Sequence, residues 1–228
     1  MTSLQNPEQI SPVYQLSDQY IEQLAATDPG LATALGIVGH DHEMTDFSPR
    51  GHEQRHEITR ATLNKLNSLD TSADRDRLAA GVLRNSLEMS TLEYDAGEHL
   101  RSIRVLAGDV DSARAIFDLM PTANADNWKT IAERMQAVPT AFAGMRESWT
   151  LGISRKVVAP RRQAIVVAEQ LETWAGTPTS PGFFTQFAES ASTIDGAPLE
   201  KLRRAAIDAS NSMAETAKFL RQTYAPAA

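Results

Sequence analysis

The chain has 228 residues, no cysteine, and 22 Lys and Arg against 29 Asp and Glu, a formal net charge of −7. This acidic balance argues against nucleic acid as a partner, because phosphate neutralisation by bases supplies most of that affinity. Without cysteine there is no disulfide, thiolate metal site or cysteine nucleophile, which fits a reducing cytoplasm. The longest unbroken apolar run, Ala164–Ala168, is far too short for a membrane helix.

The first 49 residues hold seven acids and no Lys or Arg. Such a start cannot be the positive region of a secretory signal or an Arg-rich transit peptide. Ser11-Pro12 reads as an N-cap with proline at the first helical position. Val13, Leu16, Tyr20, Ile21 and Leu24 then follow at helical spacing. Asp28-Pro29 ends that helix and opens a short one through Leu35. Residues 36–47 read as a loop, and Ser48-Pro49 opens a third helix to about Leu69. Ser72 caps a long helix expected over about 72–100. Leu78, Val82, Met89, Leu92, Ala96 and Leu100 lie on its near-heptad stripe, with the polar Asn85 at a position expected to face other helices.

A short helix beginning at Asp111 or Ser112 ends at Pro121. Trp128, Ile131, Met135 and Val138 form the next stripe, which Pro139 either kinks or ends before Phe142, Met145 and Trp149. Pro160 marks another helix start, with Gly176 at its C-terminus. A Thr177–Gly182 loop precedes Phe183, Phe184 and Phe187. A last helix runs from about Pro198 to Tyr224. No alternating segment demands a sheet. The expected fold is all-α, an irregular multi-helix array with one long central helix. It forms a single helical domain over 1–228, with a sub-boundary near 101–111.

Four constellations could carry chemistry. His52-Glu53-Gln54-Arg55-His56 matches H-E-x-x-H, in which two histidines on one helix face hold zinc and the glutamate is the general base. Measured from Ile58, His52 falls at about 120° and His56 at about 160°, bordering the apolar face, while Glu53 points outward at about 220°. Arg55 lies between the histidines. We read the match as chance, with both imidazoles at the surface or rim and no third ligand. His40-Asp41-His42-Glu43 is a polar loop that could line a cleft, so His40 and His42 are weak candidates. Arg161 and Arg162, with Arg155-Lys156, could bind an anion at a helix start, and should then lack carboxylate partners in this chain. Glu88, Glu93, Asp95, Glu98 and His99 lack the Glu-x-x-His spacing of a di-iron bundle and read as a solvated face.

Several short motifs occur in a telling order. They are Asp28-Pro29 into Ala32-Thr33-Ala34-Leu35-Gly36, Asp46-Phe47-Ser48-Pro49, Tyr94-Asp95-Ala96-Gly97-Glu98, Leu119-Met120-Pro121, Gly152 to Pro160-Arg161, and Phe219-Leu220-Arg221. Together they resemble the N-terminal part of the bacterial domain-of-unknown-function family 885. The resemblance implies a helical relative of gluzincin-type zinc metallopeptidases. It also implies that the family's zinc motif lies in a C-terminal portion beyond this chain, so zinc is expected only there and no ligand carries over to His52, Glu53 or His56. The chain is then expected to form one wall of a cleft and to be inactive alone. The rival readings are a stand-alone helical scaffold binding a partner protein, and a small zincin using His52, Glu53 and His56. Expected partners are a second copy, a C-terminal domain or another protein. The contact surfaces would be the Trp174–Phe187 region and the face bearing Phe219 and Tyr224.

Overall fold

The computed structural model describes residues 11–177 and 179–228. The first ten residues of the expected domain, and Pro178 of the expected loop, lie outside them. The fold is all-α. Helices α1 (Pro12–Thr27), α2 (Pro29–Leu35), α3 (Pro49–Asn67) and α4 (Asp74–Asp95) form the first half. The first three caps act as the sequence predicts: Ser11, Asp28 and Ser48 each accept a backbone N–H of the first turn, with proline at the first helical position. The second half contains α5 (Asp109–Ala115), α6 (Ala125–Arg155), α7 (Arg161–Ala175), α8 (Phe183–Ser190), α9 (Leu199–Phe219) and a π-helical turn, Leu220–Tyr224, leading into α10 (Ala225–Ala227). A two-residue ladder pairs β1 (Gly176–Thr177) with β2 (Ser180–Pro181) between α7 and α8.

The buried side chains fall into two groups. The larger is built on α6, against which α9 packs most extensively, with α7 and α8 laid on α9. Trp128, Ile131, Met135, Val138, Phe142, Met145 and Trp149 are all at most 2% exposed, so the stripe passes through Pro139 without a break in the helix. Full burial of each such side chain stabilises by about 1.5–3 kcal/mol. The smaller group joins Val13 and Leu16 of α1, Leu66 of α3, and Ala80 and Leu87 of α4.

Helix α4 departs from expectation in three ways, the first at its start, which follows Ala73 with no side-chain cap where Ser72 was expected to supply one. It ends at Asp95, where Gly97 (φ 74°) turns the chain into a 3-10 turn, Glu98–Leu100. Only glycine takes that backbone region without strain. The longest helix is instead α6, with 31 residues. The apolar stripe of α4 also faces outward: Leu78 is 73% exposed, Val82 66%, Met89 50% and Leu92 62%. The opposite side, with Ala80 and Leu87, is the one that packs. Periodicity alone could not distinguish the two faces, since both are apolar. Conversely, the expected contact surface at the C-terminus is largely covered. Phe184 and Tyr224 are fully buried, and Trp174, Phe183, Phe187 and Phe219 are half-buried against the larger core.

Candidate functional site

Helix α3 enters the molecule at a clamped turn. Asp46 accepts the Ser48 N–H at 2.8 Å, and Ser48 Oγ accepts the Gly51 N–H at 3.3 Å. Helix α6 crosses behind this turn, where Ser148 Oγ donates to the Phe47 carbonyl at 2.7 Å. One turn into α3, His52 and then His56 project toward the end of α4 and the 3-10 turn after it.

Three rings stack there. Tyr94 lies on His56 with centroids 3.9 Å apart and planes 7° from parallel, and on its other face meets His99 at 4.3 Å and 6°. His52 meets His99 at 5.0 Å with a 42° tilt. These rings line a cleft of about 360 Å³ together with Arg55 and Asp109. A second cavity of about 670 Å³ shares His52, Arg55, Asp109, Asp28 and Leu31 with it. The cleft thus lies where the smaller α1–α3–α4 group meets α5 and the start of the larger core.

Arg55 anchors the site. Its Nη1 donates to the carbonyls of Thr27 at 3.2 Å and Asp46 at 2.9 Å, tying the end of α1 to the turn before α3. Its Nη2 lies 3.2 Å from His52 Nδ1. Guanidinium can only donate, so Nδ1 accepts and the ring proton of His52 sits on Nε2. That Nε2 is buried without a partner, as are His56 Nδ1, His99 Nδ1 and Asp109 Oδ2.

Burial dominates the electrostatics. Desolvation, then the charge of Arg55, push His52 down to about 3. Desolvation, then Arg155, push His99 down to about 4. His56 is lowered as well, chiefly by desolvation. All three imidazoles are therefore neutral at pH 7. Asp109 is pushed up to about 7 by burial, against the opposing pull of the Ser102 hydrogen bond and the charges of Arg55 and Arg104. A carboxyl group poised near neutrality in a cleft is a recognised mark of a functional site. It can take or give a proton at physiological pH.

His52, expected at the surface or rim, is half-buried, as is His56. The helical wheel places it correctly beside the apolar face, but α4 and the 3-10 turn cover that border. Glu53 points outward and is exposed, as the wheel has it. Among the described residues, no three His, Cys, Asp or Glu side chains converge where a metal ion could be held.

His40 and His42 lie outside the cleft. Their rings approach Glu43, at 4.0 and 3.3 Å. The loop is held from beneath by Arg134, a fully buried residue of α6. Arg134 donates to the carbonyls of Glu43 at 2.8 Å and His40 at 2.9 Å and to Thr33 Oγ1 at 2.8 Å, with Asp41 at 3.8 Å. Arg161 and Arg162 are exposed at the start of α7 and, among the described residues, form no ion pair, but they do not border the cleft.

Sequence reasoning misses Tyr94, His99 and Asp109 as members of the site. In the sequence His99 stands among the acids of α4, and Glu88, Glu93 and Asp95 are indeed exposed. The signal that separates it is Gly97, which breaks the helix and swings His99 off the acidic face.

Over residues 29–228 the chain matches a family described as bacterial protein of unknown function (DUF885). The chain belongs to this family. A search of curated proteins returned no match.

Proposed function

We propose that this chain is the helical portion of a cytoplasmic, metallopeptidase-like protein. It forms one wall of a peptide-binding cleft and is inactive in hydrolysis by itself. The observation that carries this reading is the set of unpartnered buried polar atoms on His52, His56, His99 and Asp109 in a single cleft. Each such atom costs about 1–3 kcal/mol when left unsatisfied. Native proteins carry few of them, and a ligand that supplies the missing partners accounts for a group of four. The His52 Nε2–H donor, the neutral imidazoles and the titratable carboxyl of Asp109 match the alternating carbonyl and N–H groups of a peptide backbone.

The test is a titration of short peptides followed by imidazole nitrogen NMR, with a peptidase assay alongside. Binding should move the His52, His56 and His99 resonances, and His99→Ala should weaken it at least tenfold. Added zinc should produce no hydrolysis. Unmoved resonances across a broad peptide set would refute the peptide-binding cleft. Zinc-dependent hydrolysis lost in Glu53→Gln would establish the small zincin instead.

A further inference from the structure

Helix α4 carries two apolar faces, and the fold uses one. Taking Leu78 as 0°, the buried Leu87 lies at about 180° and Ala80 at about 200°. Val82, Asn85, Met89 and Leu92 all lie within about 40° of Leu78 on the exposed side. Their spacing, 78-82-85-89-92, alternates four and three residues, as in the seam of a two-helix coiled coil. Four large apolar side chains, each at least half exposed, stand in one row on a single helix. Scattered exposed apolar residues need no explanation, but a contiguous row marks an interaction surface.

The row is complementary to itself reversed. Asn85 lies at its middle, with Leu78 and Leu92 each seven residues away and Val82 and Met89 three and four away. Two copies placed antiparallel about an axis through Asn85 would pair Leu78 with Leu92, Val82 with Met89, and Asn85 with Asn85. A polar residue at one seam position fixes register, because any slip buries its amide against hydrocarbon. Charge supports the same arrangement. Arg75 and Arg77 stand at the N-terminal end of α4 with Asp74 and Asp76. Arg77 pairs with Asp74 at 2.9 Å and Arg75 lies over the Tyr14 ring, while among the described residues no carboxylate beyond that turn engages either. Glu88, Glu93 and Asp95 stand toward its C-terminal end and have no ion pair among the described residues. Antiparallel pairing brings Arg75 beside Glu93 of the second copy and Arg77 beside Asp95. Parallel pairing would set Glu88 against Glu93 and Arg75 against Arg75, which is repulsive.

We propose that the exposed face of α4 is a dimer interface occupied by α4 of a second copy of this chain, antiparallel, with Asn85 on the two-fold axis. The occupant is argued from register and charge and is independent of what the cleft binds.

Sedimentation of the full chain over a concentration series should show a monomer–dimer equilibrium. Val82→Lys should abolish the dimer while leaving the circular dichroism melt of the monomer intact. Arg75→Glu should weaken dimerisation at least tenfold, and adding Glu93→Arg in the same chain should restore it. The chain has no cysteine, so single introduced thiols report the register directly. Asn85→Cys should cross-link with itself on oxidation. Leu78→Cys and Leu92→Cys should cross-link when mixed but not separately. A chain that stays monomeric up to about 0.5 mM would overturn the proposal. So would self-cross-linking of Leu78→Cys, or a dimer indifferent to Val82→Lys.

Discussion

Asp109 and the cleft histidines work against each other as pH changes. Asp109, raised to about 7 in the fold, binds a proton that the unfolded chain has already released above its ordinary carboxylate range. Its contribution is present at low pH and is lost as pH rises toward 7. His52, lowered to about 3, refuses a proton that the unfolded chain takes up below about 6.5. Its contribution is present above 6.5 and is lost as pH falls toward 3. Between pH 4 and 6.5 these two groups nearly cancel. His99 and His56 tip the balance toward acid destabilisation, less strongly because solvent screens them. Replacing Asp109 by Asn removes the compensating group. The urea stability of Asp109→Asn should therefore fall with acidification more steeply than that of the wild type, by about 1.4 kcal/mol per pH unit. Parallel stability profiles for the two proteins over that window would mean that Asp109 titrates at an ordinary carboxylate pKa.

Close backbone approaches place the site, and a glycine of α6 permits one of them. A Cβ on Gly144 of α6 would lie 2.7 Å from the Ser48 nitrogen and 3.1 Å from the Phe47 carbonyl carbon. Both are backbone atoms of the turn that opens α3, so neither can swing aside. Alanine in place of glycine favours a helix by about 1 kcal/mol. The clash outweighs that gain, and Gly144→Ala should destabilise by about 1–3 kcal/mol. It should also displace the His52 resonances, because His52 is one turn from the clamped cap. Gly81 of α4 is the contrasting case. A Cβ there would meet nothing within 4 Å among the described residues, and the same substitution should stabilise by about 0.5–1 kcal/mol. Urea unfolding of the two variants should thus move in opposite directions. The sequence shows both glycines inside helical patterns and cannot rank them, since the difference lies in what crosses each one.

At the scale of the whole fold, the π-helical turn ties two distant segments together. Tyr224 is fully buried in the π-helical turn, and its Oη accepts the Ala159 N–H at 2.6 Å, tying the C-terminal turn to the connection between α6 and α7. Tyr224→Phe keeps the ring and its packing but leaves a buried N–H unpaired. The expected loss is about 1–3 kcal/mol. The denaturant midpoint should drop with an unchanged slope, since the surface exposed on unfolding is the same. A midpoint equal to that of the wild type would show that the Ala159 N–H finds another partner.

At this same scale, the boundary between sequence and tertiary structure runs through particular residues. Ser-Pro and Asp-Pro pairs, together with helical spacing, are enough to define the all-α class and the starts of α1, α2 and α3. A cap satisfies its N–H groups locally, within a few residues of the chain. The α6 and α9 stripes are legible for a similar reason: each helix has one apolar face, so burial has one solution. Helix α4 has two, and only the packing of Ala80 and Leu87 on α1 and α3 decided which of them faces water. The cleft was illegible because its members come from α3, from the turn after α4, and from α5. Nothing in the local pattern of His52, His99 or Asp109 says that they meet. Their unusual proton affinities arise from shared burial, which exists only once the two halves of the chain are packed together.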